Sequence, residues 1–212
     1  MRLGIIGAGF MGGTLARLWA RAGHDVYLGC RGAEGEQPLP GSRGIRIVSP
    51  YDAAGADVVV LAVPGRVAPE VTVALGDLEG RVLVDCTNPD EPVQPSLGAL
   101  VAECAINGRV VKALNTLDAR VLHAPQLTLR PAVPLCGDDD DACDTTAVLV
   151  RQLGLTPIRF GGLEHAGALE CIASIGARMR HTGASLALTL LDLGRDDEAA
   201  RRQTRDHTRP VR

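Results

Sequence analysis

Aromatic residues are scarce in this sequence, and their scarcity limits the kind of protein that it can encode. They make up 2% of the 212 residues, so the core must be built from Ala, Val, Leu and Ile. Such a core favours parallel strands under close-packed helices, and it argues against a nucleic-acid module that stacks bases on aromatic rings. The net charge of −3 gives no electrostatic reason to expect nucleic acid or an anionic membrane as a partner.

The sequence also lacks paired cysteines, long apolar runs and a recognisable leader. Its six cysteines are widely spaced, with no C-x-x-C pair, so we expect neither a metal site nor a disulfide framework. No apolar run reaches the roughly 18 residues that span a bilayer. The N-terminus enters a predicted strand without a signal peptide before it. These absences predict a cytoplasmic protein that has no membrane partner.

What the sequence does contain is an alternation of short apolar runs with segments of helical period. This alternation is typical of repeated βα units over a parallel sheet. Strands are predicted at residues 3–6, 26–28, 45–48, 58–63, 82–85 and 110–114, and helices at residues 11–21, 66–75 and 96–104. These units predict an α/β fold with a doubly wound, mostly parallel Rossmann sheet.

A shorter βαβα pattern follows a predicted loop at residues 119–130. It has strands at residues 133–136 and 155–159, a helix at residues 139–153 and a long apolar helical region at residues 164–193. The predicted units are a Rossmann domain at residues 1–130, a C-terminal extension packed on it at residues 131–193, and a charged, disordered tail at residues 194–212. The last helical region has more apolar surface than one small domain can cover, so we expect a homodimer.

The first strand runs into a glycine-rich turn with the pattern G-x-G-x-x-G. Its residues are Gly7, Ala8, Gly9, Phe10, Met11 and Gly12. In this pattern the first glycine allows the tight turn, and the second lets backbone N–H groups approach a pyrophosphate. The third lets the helix pack closely on the strand. A plain βα turn is the alternative, but the strand before the glycines and the helix after them favour a dinucleotide-binding site.

The end of the second strand decides which dinucleotide is preferred. NAD-binding proteins usually place Asp or Glu there, about 20 residues past the glycine turn, to bind the ribose 2′-hydroxyl. This sequence has Cys30 and Arg31 instead of a carboxylate. Arg31 can bind a 2′-phosphate with Cys30 beside it, which predicts NADP. The alternative is that Arg31 is a surface residue paired with Glu34 or Glu36.

Three later strands end in residues that we expect to border the cofactor, because ligands of open α/β sheets bind beyond the carboxyl ends of strands. These residues are Val63 and Pro64, then Cys86 and Asn88, and finally Asn115. Pro64 has no N–H group and therefore suits a wall that touches a ring. Asn88 and Asn115 either orient a carboxamide or a second ligand, or they cap their own loops.

Candidates for acid–base catalysis are few. His123 and His165 flank the region where a substrate could bind, but the sequence pairs neither with a carboxylate. Lys112 is the only lysine, and it lies within a predicted strand. The acidic run at residues 138–141 favours a helix N-terminus over a metal site. The sequence therefore assigns no catalytic residue.

Together, these segments resemble one family. They read G-I-I-G-A-G-F-M-G, G-H-D-V-Y-L-G-C-R, V-V-L-A-V-P, V-D-C-T-N-P, V-V-K-A-L-N-T-L and V-P-L-C-G-D-D-D-D. Over residues 1–192, the sequence resembles the NADPH-dependent reductases of the deazaflavin coenzyme F420 and their bacterial dinucleotide-binding relatives. The cytoplasmic domain of the eukaryotic metalloreductases called STEAP looks similar too, and it also carries Asn in the N-T segment.

The resemblance implies hydride transfer between C4 of the nicotinamide of NADP and C5 of a stacked F420 or flavin ring. Such a transfer needs alignment and dry surroundings more than a strong acid or base. By motif position, the resemblance implies that residues 8–11 hold the pyrophosphate and that Cys30 and Arg31 hold the 2′-phosphate. It also implies that Val63, Pro64 and Ala119 border the nicotinamide and that Asn115 faces the deazaflavin.

The sequence departs from the family pattern at three points. The family's S-R-R after the second strand is C-R-G here, and its His in the H-T segment is Asn115. In the last helix, Gly167 stands three residues before Glu170, where the family often has Arg or Tyr. Asn115, Glu170 and His165 are therefore the candidates for binding the second substrate. Two alternatives stay open, namely reduction of a small C=N or C=C substrate in space left by Gly167, and a non-catalytic NADP-binding protein.

Overall fold

The computed structural model describes residues 1–33, 35–123, 131–181 and 190–191. The strands are β1 (Arg2–Ile6), β2 (Asp25–Gly29), β3 (Gln37–Pro38), β4 (Ile45–Val48), β5 (Val58–Leu61), β6 (Val82–Asp85), β7 (Arg109–Lys112), β8 (Pro131–Gly137), β9 (Thr156–Arg159) and β10 (Leu190–Leu191). The helices are α1 (Phe10–Arg21), α2 (Pro50–Ala54), α3 (Ala68–Ala74), α4 (Leu97–Cys104), α5 (Asp140–Gln152) and α6 (Ala166–His181). Short 3-10 turns lie at Gly65–Val67, Val121–His123 and Leu163–His165.

Six parallel strands form the centre of the sheet in the order β4-β2-β1-β5-β6-β7. This is the strand order of a doubly wound dinucleotide-binding sheet, so the predicted Rossmann fold is confirmed. The direction of winding reverses between β1 and β5. Sheets of this kind bind ligands at that reversal, beyond the carboxyl ends of the strands.

Antiparallel strands extend this sheet at both ends. At one edge, β3 pairs with β4. At the other, β8 runs antiparallel to β7, with Val111 opposite Gly137 and Lys112 opposite Cys136. The strand β9 joins β8 in parallel, and β10 joins it in the antiparallel direction. The C-terminal extension therefore continues the Rossmann sheet.

The helices cover the two faces of the sheet in separate layers. Core residues of α1 and α5 pack with one set of strand side chains, while those of α2, α3, α4 and α6 pack with the other set. Successive strand residues point to opposite faces, so in β5 Val58 and Val60 belong to the first layer and Val59 and Leu61 to the second. This alternation decides which helices cover each buried side chain near the site.

Polar side chains mark where several helices begin. The Oγ of Ser49 accepts from the N–H of Asp52 at 3.1 Å, and the Oγ of Ser96 accepts from the N–H of Ala99 at 3.2 Å. The carboxylate of Asp139 accepts from the N–H of Ala142 at 2.7 Å. These contacts satisfy N–H groups that have no partner inside the helix. The acidic run therefore begins α5, as predicted.

The secondary structure differs from the sequence prediction at α2 and at Leu190–Leu191. The helix α2 was not predicted, because five residues are too few to show a helical period. The predicted helical region at residues 164–193 was wrong at Leu190–Leu191, which form a strand against β8. A one-dimensional hydrophobic pattern cannot distinguish so short an apolar strand from part of a helix. The predicted tail at residues 194–212 lies outside the described residues.

Among the described residues, no helix combines the length and the apolar character needed to cross a membrane.

Candidate functional site

The glycine turn joins β1 to α1 as the pattern predicts. Gly7 has a φ of +111°, and a Cβ there would come within 2.5 Å of the Ala62 carbonyl oxygen. A Cβ on Gly12 would overlap the carbonyl of Gly7. By contrast, a Cβ on Gly9 would meet no heavy atom within 4 Å. Gly7 and Gly12 are therefore required by the fold, whereas Gly9 leaves open space at the start of a helix, where a phosphate can approach N–H groups.

A cleft of about 670 Å³, here called the first cleft, opens beside this turn. Seven residues predicted to bind the cofactor line it: Gly7, Ala8, Gly9, Cys30, Arg31, Val63 and Pro64. The cleft lies at the carboxyl ends of β1, β2 and β5, which surround the reversal in strand order. Its position and its open glycine fit a bound dinucleotide.

Two arginines line the first cleft. Arg31 follows β2 as expected, and Arg66, which the sequence did not single out, comes from the turn after β5. Glu36 pairs with Arg46 at 3.0 Å, so it is not the partner of Arg31. Glu34 lies outside the described residues. The only sequence signal for Arg66 was its place just after the predicted strand end at Pro64.

The two cysteines predicted near the cofactor have different positions. Cys30 is half-buried at the first cleft, and burial raises the pKa of its thiol. Cys86 packs in the hydrophobic core. Burial, and after it the neighbouring Asp85 carboxylate, raises the pKa of the Cys86 thiol well above its usual range. Cys86 thus acts as an apolar core residue behind the site.

A second cleft, of about 550 Å³, opens at the carboxyl ends of β6 and β7 and is closed on one side by α6. Its lining comes from three segments, at residues 88–91, 115–118 and 173–178. The two clefts adjoin, since Gly65 lies so close to Asn88 that a Cβ on the glycine would overlap the Asn88 carbonyl. The two clefts therefore lie side by side along the edge of the sheet.

Asn88 and Asn115 bind each other at the base of the second cleft. Asn88 Nδ2 donates to the Asn115 carbonyl oxygen at 2.8 Å, and Asn115 Nδ2 donates to Asn88 Oδ1 at 2.9 Å. This pair joins the loops after β6 and β7. Asn115 Oδ1 is buried and, among the described residues, accepts no hydrogen bond. A buried acceptor without a partner is costly, which is unusual in a residue with a purely structural role.

The remaining predicted cofactor residues lie at the rim. Phe10, Met11 and Ala119 line a hollow of about 460 Å³ that faces the start of α1. The structure thus brings Ala119 close to Phe10 and Met11 of the glycine turn, although more than a hundred residues separate them in sequence.

A cluster of three charged side chains, Asp85, Lys112 and Glu170, lies buried beneath the second cleft; it is called the ion cluster below. Lys112 Nζ is 2.9 Å from Asp85 Oδ2 and 2.9 Å from Glu170 Oε1. The side chains are 0%, 0% and 5% exposed. Burial alone would lower the pKa of Lys112, but the carboxylates of Asp85 and Glu170 outweigh it and raise that pKa.

Sequence reasoning missed this cluster, although two signals were present. Asp85 ends an otherwise apolar strand, and Lys112 interrupts the next one at the paired register position. Glu170 was expected to contact the second substrate, and the structure instead places it in the cluster. Gly167 of α6 was expected to leave space for a small substrate. A Cβ on Gly167 would rest on Ser96 at 3.5 Å, so the absent side chain leaves space towards α4.

Of the two histidine candidates, His165 gains no catalytic contact among the described residues. His165 precedes α6, where its Nε2 is 3.3 Å from Glu164 and its ring meets the edge of Phe160. Ala173 is the first residue of α6 that lines the second cleft. It lies about 12 Å beyond His165 along the helix, at 1.5 Å per residue. The side chain of His123 lies outside the described part of the structure. Within the described residues, no group of three or more His, Cys, Asp or Glu side chains could hold a metal ion.

The sequence and fold are similar to those of known NADP-dependent proteins. Residues 2–89 match the family model described as NADP oxidoreductase, coenzyme F420-dependent. A solved structure of a candidate F420-dependent NADP-reductase from Arthrobacter sp. FB24 superposes with a TM-score of 0.80 at 25% identity. The match covers 92% of this chain and 100% of that one.

Two curated relatives are similar over shorter parts of their own lengths. Metalloreductase STEAP3 of Rattus norvegicus is 27% identical over 179 residues, which cover 81% of this chain and 36% of that protein. The glycerol-3-phosphate dehydrogenase [NAD(P)+] of Jannaschia sp. (strain CCS1) is 40% identical over 95 residues, 41% of this chain and 30% of the dehydrogenase. The chain thus spans about a third of these relatives.

The fold and the glycine turn are those of a dinucleotide-binding Rossmann protein, and they are similar to those of NAD(P)-dependent oxidoreductases. The resemblance to the coenzyme F420-dependent NADP oxidoreductase family, expected from the motifs, is confirmed by the family match and by the Arthrobacter structure.

Proposed function

We propose that this protein is an oxidoreductase that binds NADPH in the first cleft and transfers a hydride to a deazaflavin or flavin ring in the second. The observation that carries the proposal is the contact between Gly65 and Asn88, which makes the two clefts neighbours along one sheet edge. When bound, the nicotinamide supplies the hydride and the second ring accepts it. The chain itself binds, aligns and shields the two reactants.

The first cleft suits the cofactor through groups that bind phosphate. The open position at Gly9 and the start of α1 suit the pyrophosphate, because helix N-termini attract anions. Arg31 and Arg66 line the same cleft and can bind a 2′-phosphate. The strand β2 ends without the carboxylate that would favour NAD. These features support a preference for NADP.

The described lining of the second cleft contains no histidine, cysteine, lysine or tyrosine, and two of its three carboxylates, those of Asp90, Glu91 and Asp118, pair with arginines, which supports a direct hydride transfer between rings. Among its charged lining residues, Glu91 pairs with Arg178 at 3.4 Å, and Asp118 pairs with Arg120 at 2.7 Å. The Asn88–Asn115 pair offers a buried acceptor at the base of the cleft. Proton donors and acceptors are needed less for such a transfer than for reduction of a carbonyl or an imine.

Anaerobic stopped-flow measurements of NADPH oxidation test this proposal. F420, riboflavin, FMN and a ferric chelate are mixed separately with protein and NADPH, and the nicotinamide absorbance is followed. The proposal expects saturable oxidation with F420 or a flavin. Turnover only with an imine or an enone would instead support reduction of a small C=N or C=C substrate. Tight NADPH binding without turnover by any acceptor would support a non-catalytic NADP-binding protein.

A further inference from the structure

The second cleft has three walls, formed by the residues after β6, the residues after β7 and the helix α6. Each wall is connected to one member of the ion cluster. Asp85, Lys112 and Glu170 lie on β6, β7 and α6. On each of these segments, the first residue that lines the cleft comes three positions later; these residues are Asn88, Asn115 and Ala173. One buried cluster therefore lies beneath all three walls of the cleft.

The Asp85 carboxylate connects the cluster to the first wall. Its Oδ2 binds Lys112, while its Oδ1 accepts from the backbone N–H of Thr87 at 2.8 Å and from the Thr87 hydroxyl at 2.7 Å. These bonds fix the direction in which the chain leaves β6. Asn88 follows directly and bonds to Asn115, so the first two walls are held together.

Glu170 connects the cluster to the helical wall. Its Oε1 contacts Lys112 and accepts from the N–H of Gly98 at 2.8 Å, and its Oε2 accepts from the N–H of Leu97 at 3.1 Å. These N–H groups begin α4, where the helix dipole favours a negative charge. A Cβ on Gly98 would come within 2.7 Å of Ala166, so α4 and α6 are in close contact.

Lys112 is the cation common to these contacts. It joins the sheet to α6, because both carboxylates bind its Nζ. Without it, two carboxylates would face each other in a region closed to water, and a buried charge that loses its partner is strongly unfavourable. Movement of α6 away from the sheet would relieve that repulsion and would change the width of the second cleft.

We propose that Lys112 is a positioning residue for the second substrate, which sets the distance between α6 and the ends of β6 and β7 through Asp85 and Glu170. Its own side chain is fully buried and does not contact the reactants. The inference rests on the proposed function in one respect, namely that the second cleft holds the hydride acceptor. The first cleft is formed by other strands and should be independent of Lys112.

Steady-state and single-turnover kinetics test the proposal with Lys112→Met and Glu170→Gln. The expected result is an unchanged Kd for NADPH, a raised KM for the acceptor and a hydride-transfer rate reduced about 100-fold, since small misplacements of reactants have effects of this size. The control is Leu149→Ala, which creates a cavity on the opposite face of the sheet. It should lower the melting temperature while leaving the acceptor KM and the transfer rate unchanged. Equal kinetic effects in Lys112→Met and Leu149→Ala would overturn the proposal.

Amide hydrogen exchange provides a measurement that does not depend on turnover. Lys112→Met should increase exchange at residues 86–91, 113–118 and 166–181 and leave residues 2–31 unchanged. A uniform increase along the chain, or no increase in these segments, would contradict the positioning role. If none of the tested acceptors supports NADPH oxidation by the wild-type protein, the proposed function fails. Hydrogen exchange then still decides the role of Lys112. If Lys112→Met does not fold, Glu170→Gln decides it, because glutamine keeps the size and one carbonyl acceptor.

Discussion

Asp85 and Lys112 stand opposite each other on the neighbouring parallel strands β6 and β7, with a carboxylate oxygen and the ammonium nitrogen 2.9 Å apart and both side chains fully buried. Ion pairs at such depth rarely add net stability over apolar residues of similar size. The position of this pair, directly beneath the loops that line the second cleft, gives it a role in shaping the site. The protein thus places charge where its core meets a binding surface.

The glycine turn offers a matched pair of substitutions that separates folding from cofactor binding. Gly12→Ala should destabilise the protein by about 1–3 kcal/mol, because the added methyl group overlaps the carbonyl of Gly7. Gly9→Ala should leave the free energy of unfolding unchanged, since its Cβ meets no atom within 4 Å. It should nevertheless weaken NADPH binding by filling the space for the pyrophosphate. Urea unfolding and calorimetric titration measure the two effects, and full NADPH affinity in Gly9→Ala would refute the assignment of the turn.

Arg31→Ala should weaken binding of NADPH much more than binding of NADH. Loss of a charge-assisted hydrogen bond to the 2′-phosphate predicts about a 10- to 100-fold increase in the Kd for NADPH. Arg66→Ala should act in the same direction, because Arg66 lines the same cleft. Arg151→Ala, at an exposed position in the last turn of α5 that lines neither cleft, is the control. An equal loss of affinity for both cofactors in Arg31→Ala would remove its role in NADP selection.

The sequence predicted the central sheet and the first cleft because both depend on local patterns. A strand, a glycine turn and a helix are contiguous in residues 2–21, and the missing carboxylate after β2 is visible by position alone. The ion cluster depends on contacts between residues far apart in the chain. Asp85 and Glu170 come from elements that only the tertiary fold brings together, so neither spacing nor composition could pair them. For the same reason, sequence reasoning could name Glu170 only as a candidate for the second substrate and could not place it in the ion cluster.

Alkaline pH should destabilise the protein through its buried thiols. Burial raises the pKa of Cys86 above its usual value of 9.0 and raises that of Cys136 to about 12. Above pH 9 the unfolded chain therefore releases thiol protons that the folded protein retains, so stability falls as pH rises. Each thiol contributes a slope of about 1.4 kcal/mol per pH unit.

Urea unfolding from about pH 8 to about pH 11, which covers the range in which thiols titrate, measures this dependence. Cys86→Ala should have a shallower decline than the wild-type protein, whereas Cys171→Ala, at an exposed position, should decline with the wild-type slope. Identical slopes in all three proteins would show that the buried thiols do not govern alkaline stability.

The homodimer expected from the sequence is proposed to form through α6. Ile175 is 54% exposed and Met179 is 38% exposed on this helix, and such side chains favour burial against a partner. Ile175→Glu should convert the dimer to a monomer in sedimentation-velocity experiments. Val73→Glu, at another exposed apolar position on α3, should leave the dimer intact. A wild-type protein that sediments as a monomer would contradict the proposal.

Transfer of an isotope label tests the proposed reaction most directly. Under anaerobic conditions, the protein is mixed with F420 and with NADPH in which both hydrogens at C4 of the nicotinamide are deuterium, and the reduced deazaflavin is analysed by mass spectrometry and NMR. We expect deuterium at C5 of the deazaflavin and a primary isotope effect on the single-turnover rate. Oxidation of NADPH without deuterium in the deazaflavin, or binding of NADPH without oxidation by F420 or a flavin, would contradict the proposed reaction.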